Sequence, residues 1–91
     1  MTERMGSEPH IIKGKPLSPR EREVLFYSAL DLPNKQIADK MRIAYQTVKN
    51  HKTNIYVKLD IFGVAGAIAL LMATDQGFYD EVKRSLLDGA E

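Results

Sequence analysis

The chain has 91 residues, with 13 Lys or Arg, 12 Asp or Glu, no Cys and 44% hydrophobic residues. This length suits one small domain, and the absence of Cys excludes disulfides, thiolate metal sites and Cys nucleophiles. A net charge of +1 argues against a strongly basic nucleic-acid binder, provided that the charges are spread evenly along the chain.

The charges are not spread evenly. Residues 1–31 carry five basic and five acidic side chains, residues 32–59 carry six basic and one acidic, and residues 60–91 carry two basic and six acidic. The total of +1 is therefore the sum of a neutral first segment, a segment of net charge +5 at residues 32–59 and a segment of net charge −4 at residues 60–91. The basic middle is a candidate surface for phosphates, although a solvated helix face has the same composition.

Residues 1–16 contain two Gly and two Pro and show little periodicity, which predicts a flexible N-terminal arm. The apolar pair beginning at Ile11 is the one place in this arm where local order is expected. No apolar core of the signal-peptide type is present at the N-terminus, so a cytoplasmic location is favoured.

The first helix is predicted to begin at Ser18. Ser18 suits the cap, Pro19 suits the first helical position, and Glu21 stands three residues after the cap, where it completes a capping box. The helix should end near Leu30, because Pro33 disfavours helical structure at the residue before it.

A short second helix is predicted from about Asn34 to Met41, followed by a tight connection at residues 42–44 and a third helix over residues 45–58. Two turns of helix, a short turn and a longer helix form the layout of a helix-turn-helix motif. On the third helix, the inner stripe comprises Val48, Ile55 and Leu59, with His51 or Lys52 between them. The opposite face comprises Gln46, Lys49, Asn50, Thr53 and Val57.

Residues 61–74 carry no charge over 14 positions. A membrane span needs about 20 apolar residues, so we interpret this segment as a fourth helix that is buried on more than one side, and we expect no membrane partner.

After Gln76 and Gly77, apolar residues recur at intervals of four, at Phe78, Val82 and Leu86, which predicts a short C-terminal helix. This helix either folds back over the fourth helix of the same chain or enlarges a contact between two copies.

Three stretches, LSPREREVL (residues 17–25), LPNKQIADKM (residues 32–41) and IAYQTVKNHKTNIYVKL (residues 43–59), resemble the LuxR/GerE-type helix-turn-helix domain of bacterial transcription factors. The resemblance continues weakly to about residue 73. It implies an all-α fold, with a four-helix domain over residues 17–74. The arm of residues 1–16 precedes it, and an acidic extension of residues 75–91 follows, with the extra short helix.

The resemblance also implies the function: a sequence-specific, DNA-binding transcriptional regulator that places its third helix in the major groove and forms a homodimer through its fourth. Its partner would be double-stranded DNA, bound at the bacterial nucleoid in the cytoplasm. The positions that match the base readers of the family are Lys49, Asn50 and Thr53. The residues expected at phosphates are Lys35, Tyr45, Gln46, Thr47, Lys52, Tyr56 and Lys58. The residues expected in the dimer interface are Val64, Ala67, Ile68, Leu71 and Met72.

The chain departs from the family pattern in three places. Ala44 stands where a Ser or Thr usually caps the third helix, which removes roughly 1 kcal/mol of capping free energy. Phe62-Gly63-Val64 replaces a stretch that is usually polar and often holds an Arg. Asp60 places a negative charge directly after the third helix.

Other classes of function have less support in the sequence. Neither His51 nor the pair Glu21 and Glu23 forms a catalytic or metal-ligating group, and with no cofactor loop present we predict neither an enzyme nor a bound cofactor or metal. One alternative is an interaction module that binds RNA polymerase or another regulator through the fourth helix or the tail. Another is a promoter reader like the fourth region of sigma factors.

Overall fold

The computed structural model describes residues 14–89, which form an all-helical domain. The described helices are α1 (Pro19–Ala29), α2 (Asn34–Met41), α3 (Tyr45–Leu59), α4 (Val64–Thr74) and α5 (Gln76–Gly89). Most of the predicted arm, including the local order expected near Ile11, lies outside the described residues. Of its last residues, Gly14 lies in a turn and residues 15–16 have no regular secondary structure ahead of α1.

The predicted capping box at the start of α1 is confirmed. The hydroxyl of Ser18 accepts a hydrogen bond from the Glu21 backbone N–H at 3.1 Å. The Glu21 carboxylate in turn accepts one from the Ser18 backbone N–H at 2.9 Å. With Pro19 in the first turn, the start of α1 is decided by local sequence alone.

The helix-turn-helix layout is also confirmed. The α2 helix ends at Met41, and the backbone of Arg42 adopts the left-handed conformation, with φ of 58°. This conformation turns the chain sharply, so that α3 begins three residues after Arg42, at Tyr45. Both helices pack against α1 and against each other, so the short turn places α3 across the domain with one long face outward.

The core draws on all five helices. The predicted inner residues Val48 and Ile55 of α3 are fully buried, and Leu59 is partly buried against them. The complete buried apolar set is Val24, Leu25, Ile37, Ala38, Met41, Val48, Ile55, Ala67, Leu71, Phe78 and Val82.

The fourth helix begins later than the apolar run that predicts it. Asp60 is left-handed, with φ of 57°, and ends α3, and residues 61–63 form a loop before α4 begins at Val64. Ile61 packs partly into the core close to Gly66, where an added Cβ atom would lie 3.1 Å from the Ile61 Cγ2 atom. Phe62, in contrast, is fully exposed.

The C-terminal helix is longer than predicted, with 14 residues, and it begins at Gln76. Its start is set by Asp75, whose carboxylate accepts a hydrogen bond from the Phe78 backbone N–H at 3.0 Å. Phe78 and Val82 are buried within the chain, so α5 folds back over its own domain. This is the first of the two alternatives that the sequence left open. Leu86 departs from the predicted stripe, because it is 50% exposed.

Among residues 14–89, no single helix is long and apolar enough to cross a bilayer. The combination of α3 and α4 reaches that length and apolar character only across a bend of 58°.

Candidate nucleic-acid interface

The outward face of α3 carries the side chains predicted to read DNA bases. We define the outer face of α3 as the five positions of the predicted outer stripe, all of which are exposed: Gln46, Lys49, Asn50, Thr53 and Val57. This face holds amide, ammonium and hydroxyl groups and no carboxylate. The 3.6-residue period of the sequence therefore identified the exposed face of α3 correctly.

Contacts one turn apart order the polar groups of this face. The Lys49 ammonium lies 5.3 Å from the centroid of the Tyr45 ring, a cation–π geometry. The Gln46 side-chain amide donates to Asn50 Oδ1 at 3.1 Å. The Thr53 hydroxyl donates to the Lys49 backbone carbonyl at 3.2 Å. A separation of four residues on a helix makes these pairs possible, but it does not show which of them form.

The first turns of α2 and α3 meet beside this face. A cleft is lined there by Pro33, Asn34, Lys35 and Tyr45. Neither helix has a side-chain hydrogen bond at its cap, and at α3 the cap position is Ala44. Helix N-termini present backbone N–H groups and a positive dipole end, and both favour anions. Within the described part of the chain, Asn34 Oδ1 is buried there without a hydrogen-bond partner.

The other residues predicted at phosphates divide into two groups. Lys35, Tyr45 and Gln46 are exposed, whereas Thr47, Lys52 and Tyr56 are half-buried. Burial lowers the pKa of the Lys52 ammonium and raises the pKa of the Tyr56 hydroxyl.

Lys58 does not lie where the sequence analysis expected it. Its ammonium is 2.7 Å from the carboxylate of Glu21, and its side chain is only 15% exposed. The physical reason is that the capping box draws Glu21 into the protein, where a buried carboxylate requires a counter-charge. The prediction that Lys58 contacts phosphate is corrected accordingly, and the basic surface is weaker than the count over residues 32–59 indicates.

The α4 residues predicted to form a dimer interface also divide. Ala67 is 0% exposed and Leu71 is 7% exposed within the chain's own core, so neither offers surface to a partner. Val64, Ile68 and Met72 are partly buried against that core and retain some accessible surface.

A cluster of ion pairs that joins α1 to Asp75 and α5 was not identified from the sequence. The Arg22 guanidinium lies 3.3 Å from the Asp75 carboxylate and 3.4 Å from that of Glu81. It also stacks 5.6 Å from the centroid of the Phe78 ring. No local pattern in the sequence connects Arg22 with Asp75, because the two residues are 53 positions apart.

Among residues 14–89, no group of three or more His, Asp or Glu side chains could hold a metal ion. His51 is a half-buried residue of α3, beside the inner stripe.

Comparison with known proteins gives one family. Residues 15–71 match the GerE family, described as bacterial regulatory proteins of the luxR family. The Fimbriae Z protein of Escherichia coli K12 is 44% identical over 52 residues, which cover 57% of this chain and 25% of that protein. The transcriptional activator protein BglJ of the same strain is 34% identical over 74 residues, covering 81% of this chain and 32% of that protein.

A third relative comes from another bacterium. The transcriptional regulatory protein MctR of Rhizobium johnstonii is 37% identical over 67 residues, covering 74% of this chain and 30% of that protein. The chain thus spans about a quarter to a third of the length of these relatives. No solved structure matches it significantly.

Proposed function

The chain belongs to the luxR (GerE) family of bacterial regulatory proteins and carries its helix-turn-helix DNA-binding domain, a module that is not an enzyme, and from that premise we propose how it acts. In this proposal, α3 enters the major groove of double-stranded DNA and reads base edges. Two copies pair through α4, so that two half-sites are bound together. The protein thereby regulates transcription in the bacterial cytoplasm, at the nucleoid.

The observation that carries this proposal is the outer face of α3. The major groove of B-DNA admits an α-helix, and its base edges present hydrogen-bond donors and acceptors. Lys49, Asn50 and Thr53 lie exposed on one face, the first two side by side and Thr53 one turn later. Lysine donates to guanine, asparagine pairs with bases through its amide, and threonine contributes a hydroxyl and a methyl group. The face is free of carboxylates, which would repel phosphate.

Phosphate contacts would fix the position of α3 in the groove without selecting sequence. The cleft between the first turns of α2 and α3 supports this role, because it combines uncapped backbone N–H groups with the Lys35 ammonium and the Tyr45 hydroxyl. Gln46, Thr47, Lys52 and Tyr56 would add donors along the same side. We leave Lys58 out of this set, because its ammonium is bonded to Glu21.

The surface proposed for pairing through α4 has fewer residues than the sequence predicted. Because Ala67 and Leu71 are buried in the core of their own chain, a second copy would contact Val64, Ile68 and Met72. Oligomers with two-fold symmetry present the same patch from both copies. Two recognition helices related in this way match two half-sites on one face of the DNA.

The DNA proposal is tested by binding to duplexes selected from a random-sequence library, measured by fluorescence anisotropy at several salt concentrations. The logarithm of the affinity should fall linearly with the logarithm of the salt concentration, by about 0.9 for each phosphate neutralised. Lys49→Ala should lose about 1–3 kcal/mol on the selected duplex and should relax preference at one base pair.

The matched control is Lys83→Ala on α5. Lys83 is also exposed and also lies over a tyrosine ring four residues earlier, 5.8 Å from the centroid of Tyr79. We expect Lys83→Ala to bind as the wild type does. Equal losses in both variants, or no duplex binding by the wild type at low salt, would contradict the proposal.

Pairing is tested separately by sedimentation with and without a duplex that carries two half-sites. Ala69 is exposed on α4 next to Ile68, so replacing it with Glu places a charge at the edge of the proposed contact and should weaken the dimer without disturbing the fold. Gln36→Glu adds the same charge on α2 and should leave the oligomeric state unchanged. A wild type that stays monomeric on the two-site duplex at high micromolar concentration would count against pairing.

A second candidate function is binding to RNA polymerase or another regulator. The fully exposed Phe62, in the loop before α4, favours it, because large exposed apolar side chains often belong to interaction sites. This candidate takes precedence if no duplex binds while Phe62→Ser removes an interaction with purified RNA polymerase.

A further inference from the structure

We propose that Gln46 determines the base specificity of Asn50, by holding the Asn50 amide so that its oxygen is turned toward Gln46 and its N–H donors face the groove. The base that Asn50 then selects is guanine. This inference rests on the proposed function, since it concerns the same face of α3, and it assigns Gln46 a positioning role toward a neighbouring base reader.

The geometry comes from one hydrogen bond. The Gln46 Nε2 atom donates to Asn50 Oδ1 at 3.1 Å, across one helical turn. Both side chains are exposed, so this bond lies on the surface that would face DNA. An asparagine amide has one oxygen, which accepts through two lone pairs, and two N–H donors. The bond to Gln46 uses one lone pair and turns the oxygen toward that residue, whereas no group among residues 14–89 is bonded to the nitrogen.

The neighbouring side chains are held in the same way, which favours an ordered face before DNA arrives. Lys49 rests over the Tyr45 ring, and the Thr53 hydroxyl donates to the Lys49 carbonyl. Each contact joins residues four positions apart on the same helix. A surface that is already ordered loses less conformational entropy on binding, so the orientation set by Gln46 should persist in the complex.

The orientation of the amide decides which base fits. Asparagine pairs with adenine through two bonds, in which its oxygen accepts from N6 and its nitrogen donates to N7. An oxygen turned toward Gln46 keeps one lone pair for the first of these bonds but offers it at a less favourable angle. Guanine instead presents two acceptors, O6 and N7, on its major-groove edge. The nitrogen of Asn50 can donate to these acceptors without the help of its oxygen.

Two substitutions at Gln46 should change this preference in a defined direction. Gln46→Ala removes the donor and releases Asn50 Oδ1, so adenine should gain relative to guanine at one base pair. Gln46→Glu places an acceptor-only carboxylate beside the amide. It should accept from the Asn50 nitrogen and turn the oxygen toward the groove, which should favour adenine more strongly.

The measurement is the ratio of guanine to adenine at each position of duplexes selected from a random-sequence library by the full chain. For the wild type, guanine should dominate at the position that Asn50→Ala makes indifferent. Gln46→Ala should lower the guanine-to-adenine ratio there about tenfold, and Gln46→Glu should lower it further. In an Asn50→Ala background, Gln46→Ala should have no effect on that ratio.

The matched control is Gln76→Ala on α5. Gln76 donates to the Asp80 carboxylate four residues later, at 2.9 Å, so the variant breaks a bond of the same spacing away from α3. It should leave every base preference unchanged. A merely structural role for Gln46 would weaken binding to all duplexes alike and leave the ratio unchanged, and that result would overturn the inference.

Failure of the inference is distinguishable from failure of the proposed function. A wild type that selects no duplex removes the premise and with it the inference. A wild type that selects a defined sequence, with the same guanine-to-adenine ratio in both Gln46 variants, retains the DNA proposal and refutes the role of Gln46.

Discussion

The ammonium of Lys58 lies 2.7 Å from the carboxylate of Glu21, and these side chains are only 15% and 6% exposed. The bond joins the last turn of α3 to the first turn of α1. Next to it, the Gly14 backbone N–H donates to the Lys58 carbonyl at 2.7 Å. The C-terminal end of α3 is therefore bonded to α1 and to Gly14, whereas the outer face of the helix stays exposed.

Removing the charge of Lys58 should destabilise the domain strongly. Lys58→Met would leave the Glu21 carboxylate buried without its counter-charge, and breaking a buried pair in this way costs about 3 kcal/mol. The free energy of unfolding from urea denaturation measures the loss. Lys40→Met, at an exposed position of α2, should change it by less than about 0.5 kcal/mol. Similar values for the two variants would show that the pair contributes little.

Restoring a cap at the start of α3 should stabilise the domain. Ala44 makes no capping hydrogen bond, and its backbone is already extended, with φ of −70° and ψ of 149°. Ala44→Ser should raise the free energy of unfolding by about 1 kcal/mol. Ser18→Ala, which removes the cap of α1, should lower it by a similar amount. A destabilised Ala44→Ser variant in thermal and urea unfolding would contradict this prediction.

The α5 helix should behave as part of the folded domain, although it lies beyond the family match at residues 15–71. Phe78 is fully buried, whereas Leu87 is 61% exposed on the same helix. Phe78→Ala should cost about 3 kcal/mol or more, because it leaves a cavity in the core. Leu87→Ala should cost less than about 0.5 kcal/mol. Equal, small effects on the unfolding free energy would mean that α5 folds independently of the other helices.

Acid should weaken the attachment of α5. The Phe78 backbone N–H and then the Arg22 guanidinium lower the pKa of Asp75. An acid with a lowered pKa in the folded state stabilises that state above its unfolded-state pKa, and the contribution is lost as the pH falls through the folded-state value. The unfolding free energy should therefore decrease below about pH 4.

The pH dependence has two diagnostic variants, measured by urea unfolding at a series of pH values. Asp75→Asn removes the titrating group, so the curve should be flatter than that of the wild type in the acid range. Arg22→Gln removes only the second of the two main causes and should give an intermediate slope. An Asp75→Asn curve parallel to that of the wild type would refute the assignment.

Features set by neighbouring residues were predictable from the sequence. The capping box of Ser18 and Glu21 marked the start of α1. The 3.6-residue period separated the buried Val48 and Ile55 from the outer face of α3. Both signals act within one or two helical turns, where the geometry of the helix decides which side chains meet.

Other features were decided only by the tertiary structure. The left-handed residues Arg42 and Asp60 turn the chain and so set the angles between helices. Those angles bring Lys58 to Glu21, 37 positions away, and Arg22 to Asp75, 53 positions away. Sequence spacing does not predict such pairs, because the distance between the two side chains depends on how whole helices pack. The sequence by itself thus determined the helices and the exposed outer face of α3, whereas packing decided which basic side chains of residues 32–59 stay exposed.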